Sequence, residues 1–181
     1  MRNIQMLVSA VAASICLVAS GTALATTKAE YDAAKDKAKA EYKIAEDKCG
    51  SLSGNAKDVC KAEAKANRKK AEAAAEAEYK HTPKARRDAV EDSAEANYKV
   101  AKEKCDAKTG NDKDVCIKEA KAAETKAKAD AKATEKSTTA RKDAADDKRD
   151  ADYKVAIEKC DGMSGDAKDA CKKEAKAKYG K

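Results

Sequence analysis

The 181-residue sequence has no Phe and no Trp, a single Pro and a single His. Its large aliphatics are few: beyond residue 25 they are Leu52, Ile44, Ile117, Ile157, Val59, Val90, Val100, Val115, Val155 and Met163. Leu, Ile, Val and Phe together fall far below the roughly 20% of an ordinary globular domain. No large core can be buried, which argues against a pocketed enzyme. Such a composition is compatible with disorder. Against disorder stands the abundance of Ala, Lys and Glu, all strong helix formers. The chain reads as extended helices joined by thin alanine seams.

A long hydrophobic run is missing too, except at the start. "MRNIQMLVSAVAASICLVASGTALA" has a basic residue, Arg2, then an apolar stretch, then Ala23-Leu24-Ala25 as a small-x-small cleavage site. That is the pattern of a secretory signal peptide over 1–25. The stretch is short and broken by Ser and Thr, unlike a membrane anchor. Ile15 before Cys16 does not suit a lipoprotein site. Cleavage after Ala25 leaves 26–181. It removes one of seven cysteines, and the formal charge falls from +7 to +6 with the loss of Arg2. Acids and bases are mixed, with 33 Asp and Glu against 40 Lys and Arg, so the surface is solvated and mildly cationic rather than polybasic.

What the chain has in quantity is repetition. "CGSLSGNAKDVC" (49–60), "CDAKTGNDKDVC" (105–116) and "CDGMSGDAKDAC" (160–171) share one plan. Before them stand "AEYKIAEDKC", "ANYKVAKEKC" and "ADYKVAIEKC"; after them come "KAEAKA", "IKEAKA" and "KKEAKA". Self-similarity at 55–56 residues marks a repeat architecture. Tyr31, Ala34, Ala38, Tyr42, Ala45 and Cys49 line one helical face; so do Val90, Ala94, Tyr98, Ala101 and Cys105. Ala145, Tyr153, Ala156 and Cys160 follow, interrupted by Arg149.

Six cysteines allow fifteen pairings. The threefold spacing favours the local ones, Cys49–Cys60, Cys105–Cys116 and Cys160–Cys171, and export favours the oxidised state. Gly54, Gly110 and Gly165 permit the reversal. Asn55, Asn111 and Asp166 are N-cap candidates, with Asp58, Asp114 and Asp169 three residues on. The fold class expected is all-α: three disulfide-stapled antiparallel helical hairpins in tandem, six helices in all. The repeats are placed at 26–82, 83–138 and 139–181. Pro83 breaks the chain between the first two. Between the second and third, Ser137-Thr138-Thr139 is a weaker breaker, compatible with a bend or with one longer helix.

Chemistry is sparse. Ten residues between cysteines, with no repeated His, is not a zinc spacing. Lys108 occupies the place of a liganding oxygen in a calcium-like loop. His81 falls in a turn and aligns with Ser137. Tyr42, Tyr98 and Tyr153 suit the capping of a thin seam better than a ligand platform. No catalytic, cofactor-binding or metal-ligating residue is assigned, and no cofactor is expected.

Segments such as "KAEAKANRKKAEAAAEAEYK" (61–80) resemble the helical stalk of the envelope protein TolA. The cleavable signal and paired cysteines depart from it, so anchoring and colicin-related roles do not carry over. Over its whole length the chain is similar to uncharacterised exported proteobacterial Ala/Lys-rich proteins with "YKxAxxxC…GNAKDxC…EAKA" repeats, a resemblance that implies no activity. "KYGK" at the end resembles the C-terminal Tyr-Arg-Lys of the major outer-membrane lipoprotein, matching at Tyr179 and Lys181. That resemblance implies Lys181 as a point of attachment to peptidoglycan, although no lipobox and no strong apolar heptads accompany it.

The function expected is that of a non-enzymatic periplasmic or secreted, envelope-associated structural or interaction protein, with no transmembrane span after cleavage. The competing class is a cationic module for lipopolysaccharide, peptidoglycan or nucleic acid. Nucleic acid is the weaker partner, because acids nearly balance bases and no aromatic-basic platform is present.

Overall fold

The computed structural model describes residues 26–181; the expected signal segment and Cys16 lie outside the described residues. Five α-helices follow one another: α1 (Lys28–Cys49), α2 (Gly54–Lys80), α3 (Pro83–Cys105), α4 (Gly110–Asp161) and α5 (Gly165–Tyr179). Only consecutive helices pack, so the chain runs as an antiparallel zigzag. There are no strands among the described residues.

The three local disulfides are formed, with Cα–Cα separations of 5.6–5.7 Å. Each staples the end of one helix to the second turn of the next. Cys49, Cys105 and Cys160 are the most deeply buried side chains among the described residues. Around them the seams are alanine: Ala38, Ala64, Ala66, Ala73, Ala77, Ala85, Ala94, Ala96, Ala131 and Ala175 are the other buried apolar residues. Short side chains let the backbones approach closely, but each contributes little transfer free energy. Ile44, Val90, Val115 and Val155 stay substantially exposed.

Helix starts differ in detail from the sequence reading. α2, α4 and α5 begin at the glycine itself, and the N-cap residues are Ser53, Thr109 and Ser164. Gly54, Gly110 and Gly165 hold φ of +54°, +55° and +60°, which β-carbon-bearing residues rarely adopt. Asn55, Asn111 and Asp166 therefore lie inside the first turn rather than at the cap. Asn55 spends its amide elsewhere: Nδ2 donates to the Glu103 carbonyl at 2.6 Å and ties the first tip to the second.

The second difference is larger. Six helices were expected and five are present among the described residues, because α4 runs unbroken for 52 residues through 138 and 139. The reason lies in the two aligned junctions. At the first, His81 takes a left-handed φ of 51°, Thr82 caps α3 by accepting from the Ala85 N–H at 3.0 Å, and Pro83 is the first helical residue. At the second, Ser137-Thr138-Thr139 offers no proline and no residue in the left-handed region, so nothing stops the helix. At 1.5 Å per residue α4 is about 78 Å long. The boundary proposed at 138/139 thus falls in mid-helix, whereas that at 82/83 coincides with a reversal.

α3 covers the first half of α4 and α5 covers its end. Between them, every residue from Lys136 to Ala145 is exposed. The third hairpin tip consequently sits at the far end of α4 from the other two.

Candidate functional site

Three features concentrate chemistry: the stapled tips, the groove between α2 and α3, and the C-terminus. At the tips the sequence signal was partly missed. Asp106, directly after the cysteine that ends α3, and Asp161, the last residue of α4 and directly after Cys160, reach across the loop to the following helix. Asp106 pairs with Lys113 at 2.8 Å; Asp161 pairs with Lys168 at 3.0 Å and Lys172 at 2.7 Å. Hydrogen bonds from Lys172 and then Lys168 lower the Asp161 pKa. Glycine stands at this place in the first repeat, Gly50, so its tip lacks the clasp. The Asp after the first cysteine and the Lys seven positions after that Asp were the available clue.

Tyr42, Tyr98 and Tyr153 are half-buried on their seams. The Arg68 guanidinium lies 5.5 Å from the Tyr42 ring centre and the Lys121 ammonium 4.9 Å from that of Tyr98, each a cation from the opposing helix. Tyr153 meets Tyr179 edge-on at 6.2 Å, and Tyr31 stacks on Tyr79 at 4.9 Å. The tyrosines close the open sides and ends of the seams.

Between α2 and α3 runs a groove lined by Lys61, Lys65, Lys69 and Lys99, with Ala66 and Ala96 at its floor and Asp58 and Glu103 beside it. Lys69 is bound across the interface by Asp92 at 3.2 Å and Glu95 at 3.1 Å. Lys99 is held by Glu95 at 2.7 Å. Hydrogen bonds from Lys99 and then Lys69 pull the Glu95 pKa down to about 2. Half of the groove's positive charge is therefore already neutralised by the protein. Sequence reasoning did not find this groove, because its lysines come from two helices whose mutual register is invisible in the chain.

Glu124 is the one buried charged residue among those described. It lies on α4 between Lys121 and Lys128, at 2.7 and 2.6 Å, and these hydrogen bonds keep its pKa below the usual carboxylate range. The pair screens a charge; it presents no free acid for chemistry. No three His, Cys, Asp or Glu side chains among the described residues are grouped as a metal ion would need. His81 sits exposed in the α2–α3 turn, where its Nε2 accepts from the Thr26 N–H at 3.4 Å.

Lys181 is exposed beyond Gly180, whose φ of +67° ends α5. Its ammonium reaches back to Asp150 on α4, and that hydrogen bond lowers the Asp150 pKa. No helix among the described residues is long and apolar enough to cross a membrane. Comparison of the chain with protein-family models, with curated proteins and with solved structures finds no match.

Proposed function

We propose that the chain is a non-enzymatic structural or interaction protein exported to the bacterial cell envelope. The observation that carries this reading is that three disulfides join helices whose seams are otherwise alanine. Such bonds persist in an oxidising compartment and are uncommon in the cytosol. The export pattern of residues 1–25 points the same way. A long helix with stapled hairpins at both ends suits a spacer or bridge better than a reaction vessel. The test is fractionation of cells expressing the protein, with N-terminal sequencing and non-reducing peptide mapping. The reading expects a chain beginning at Thr26, outside the cytoplasm, carrying all three local disulfides. A cytoplasmic chain with free thiols would overturn it.

A second reading, binding of anionic envelope polymers such as lipopolysaccharide or peptidoglycan, is favoured by the lysine groove between α2 and α3. It expects salt-dependent retention on these polymers that weakens when Lys61 and Lys65 are changed to Gln. Equal retention on DNA would place nucleic acid among the partners.

Within the first reading, Lys181 is a candidate for covalent attachment to peptidoglycan. Its amine would have to leave Asp150 to react. Muramidase digests of washed sacculi, from a host with an active cross-linking enzyme, should contain Lys181 joined to a stem peptide. A protein that washes free in hot detergent with an unmodified C-terminus rules attachment out.

A further inference from the structure

The internal repeat supplies its own template for an interaction surface. In the α2–α3 pair, Ala66, Ala73, Ala77, Ala85 and Ala96 are buried and Ala89 half-buried. Aligning the repeats on their cysteines places Ala122, Ala129 and Ala133 at the positions of Ala66, Ala73 and Ala77. It places Ala140, Ala144 and Ala151 at those of Ala85, Ala89 and Ala96. All six are alanine again, and all six are exposed. The unbroken helix prevents the two halves of α4 from meeting as α2 and α3 do.

These six alanines share one face of α4. Their spacing is seven, four, seven, four, seven, an eleven-residue pattern that keeps a nearly straight helix in register. It is the face opposite the neighbours. Ala131 lines the contact with α3, and Cys160 is bonded to α5. They are 29 residues apart, about eight turns of 3.6 residues, so α3 and α5 lie on the same side of α4. Ala129, two residues from Ala131, points away from both.

We propose that this face pairs antiparallel with α4 of a second copy. The partner supplies the contact that the missing reversal denies within the chain, as in domain swapping. The register follows from α2 and α3, where Ala66 shares a groove with Ala96 and Ala73 with Ala89. Carried over, Ala122 faces Ala151 of the other copy, Ala129 faces Ala144 and Ala133 faces Ala140. The two-fold axis then passes between residues 136 and 137, about one residue from the midpoint of α4 (110–161), so nearly the whole helix is paired.

The charges also fit a pair. In α2–α3 the groove beside Ala73 holds Glu76, Asp88, Glu91 and Asp92. Lys132 stands where Glu76 does, opposite Asp143 and Asp147 at the places of Asp88 and Asp92. Four carboxylates become a mixed cluster. The two α2–α3 ion pairs of Lys69, with Asp92 and with Glu95, are not reproduced, because Thr125 replaces Lys69. The deletion of one residue and the loss of proline at the junction are the changes that convert a hairpin into a straight helix with an unsatisfied face.

The experiment is sedimentation equilibrium and cross-linking on the oxidised chain 26–181, which carries all five helices. The expected result is a dimer mass. In mixtures of ordinary and isotope-labelled protein, a Lys118–Lys154 cross-link should join the two forms; within one straight helix these residues are about 54 Å apart. Changing Ala133 and Ala140 together to Glu sets like charges opposite each other and should weaken association at least about 100-fold with helicity unchanged. Ala133→Glu with Ala140→Lys restores opposite charges across the axis and should keep the dimer. A monomer at every concentration, whether extended or folded back on itself, overturns the proposal. So does a dimer indifferent to the paired glutamates.

Discussion

Glu95 of α3 holds Lys69 of α2 with one carboxylate oxygen, at 3.1 Å, and Lys99 of its own helix with the other, at 2.7 Å. It is one of the ionic clasps between the first and second hairpins, with Asp92 on the same lysine and Lys104 paired to Glu63 at 2.7 Å. Its pKa of about 2 lies below the ordinary glutamate value of 4.5. The stabilisation is therefore full above about pH 4.5 and is lost as pH falls towards 2. Asp88, Glu124, Asp150 and Asp161 are shifted in the same direction by their lysine or arginine partners.

The melting temperature should accordingly be flat between pH 8 and pH 5 and drop steeply below about pH 4. Glu95→Gln should lower it at pH 7 and reduce the acid-dependent fall. Glu95 is partly solvated, so salt should shrink the Glu95→Gln difference. An unchanged acid profile in Glu95→Gln would remove Glu95 from the account.

The third staple should matter most to its own helix. α5 has 15 residues and packs on α4 alone, and an isolated helix of that length is marginal in water. Closing so short a loop contributes about 3 kcal/mol by chain entropy. With Cys160→Ala and Cys171→Ala together, amide exchange in α5 should accelerate on the order of 100-fold. Protection in α2 and α3, which flank each other along their length, should barely change. Equal acceleration throughout would mean the five helices unfold as one unit.

The hairpins and their pairings were legible because each cysteine pair brackets a glycine loop and follows a tyrosine-alanine stripe. The stop at Pro83 was legible for the same reason: a proline leaves a local mark. The continuity of α4 was not, because Ser137-Thr138-Thr139 is neutral enough for the flanking helix formers to decide. Nor was the α2–α3 groove, whose lysines meet only through a register set by Ala66 and Ala96. The cap residues were misplaced because the helices begin at Gly54, Gly110 and Gly165, with Ser53, Thr109 and Ser164 at the caps; Asn55, a good cap by type, bonds instead to Glu103 across 48 positions.

The junction itself can be exchanged. Ser137→His and Thr139→Pro, with one lysine inserted after position 139, would rebuild the His-Thr-Pro-Lys reversal of residues 81–84. Left-handed geometry and a proline at the helix start should then split α4 and fold its halves together as α2 and α3 are folded. Small-angle scattering should show a shorter maximum dimension. An unchanged profile would mean that the alanine faces do not attract each other strongly enough to close.

The central claim is that one unbroken helix holds the third stapled tip far from the other two. Energy transfer between dyes attached by non-cysteine chemistry at Thr109 and Met163 tests it directly. A large excess of unlabelled protein keeps both dyes of any signal in one chain. The account predicts a separation near 80 Å at 1.5 Å per residue, and therefore little transfer. High transfer, placing the two tips side by side in a single chain, would contradict it.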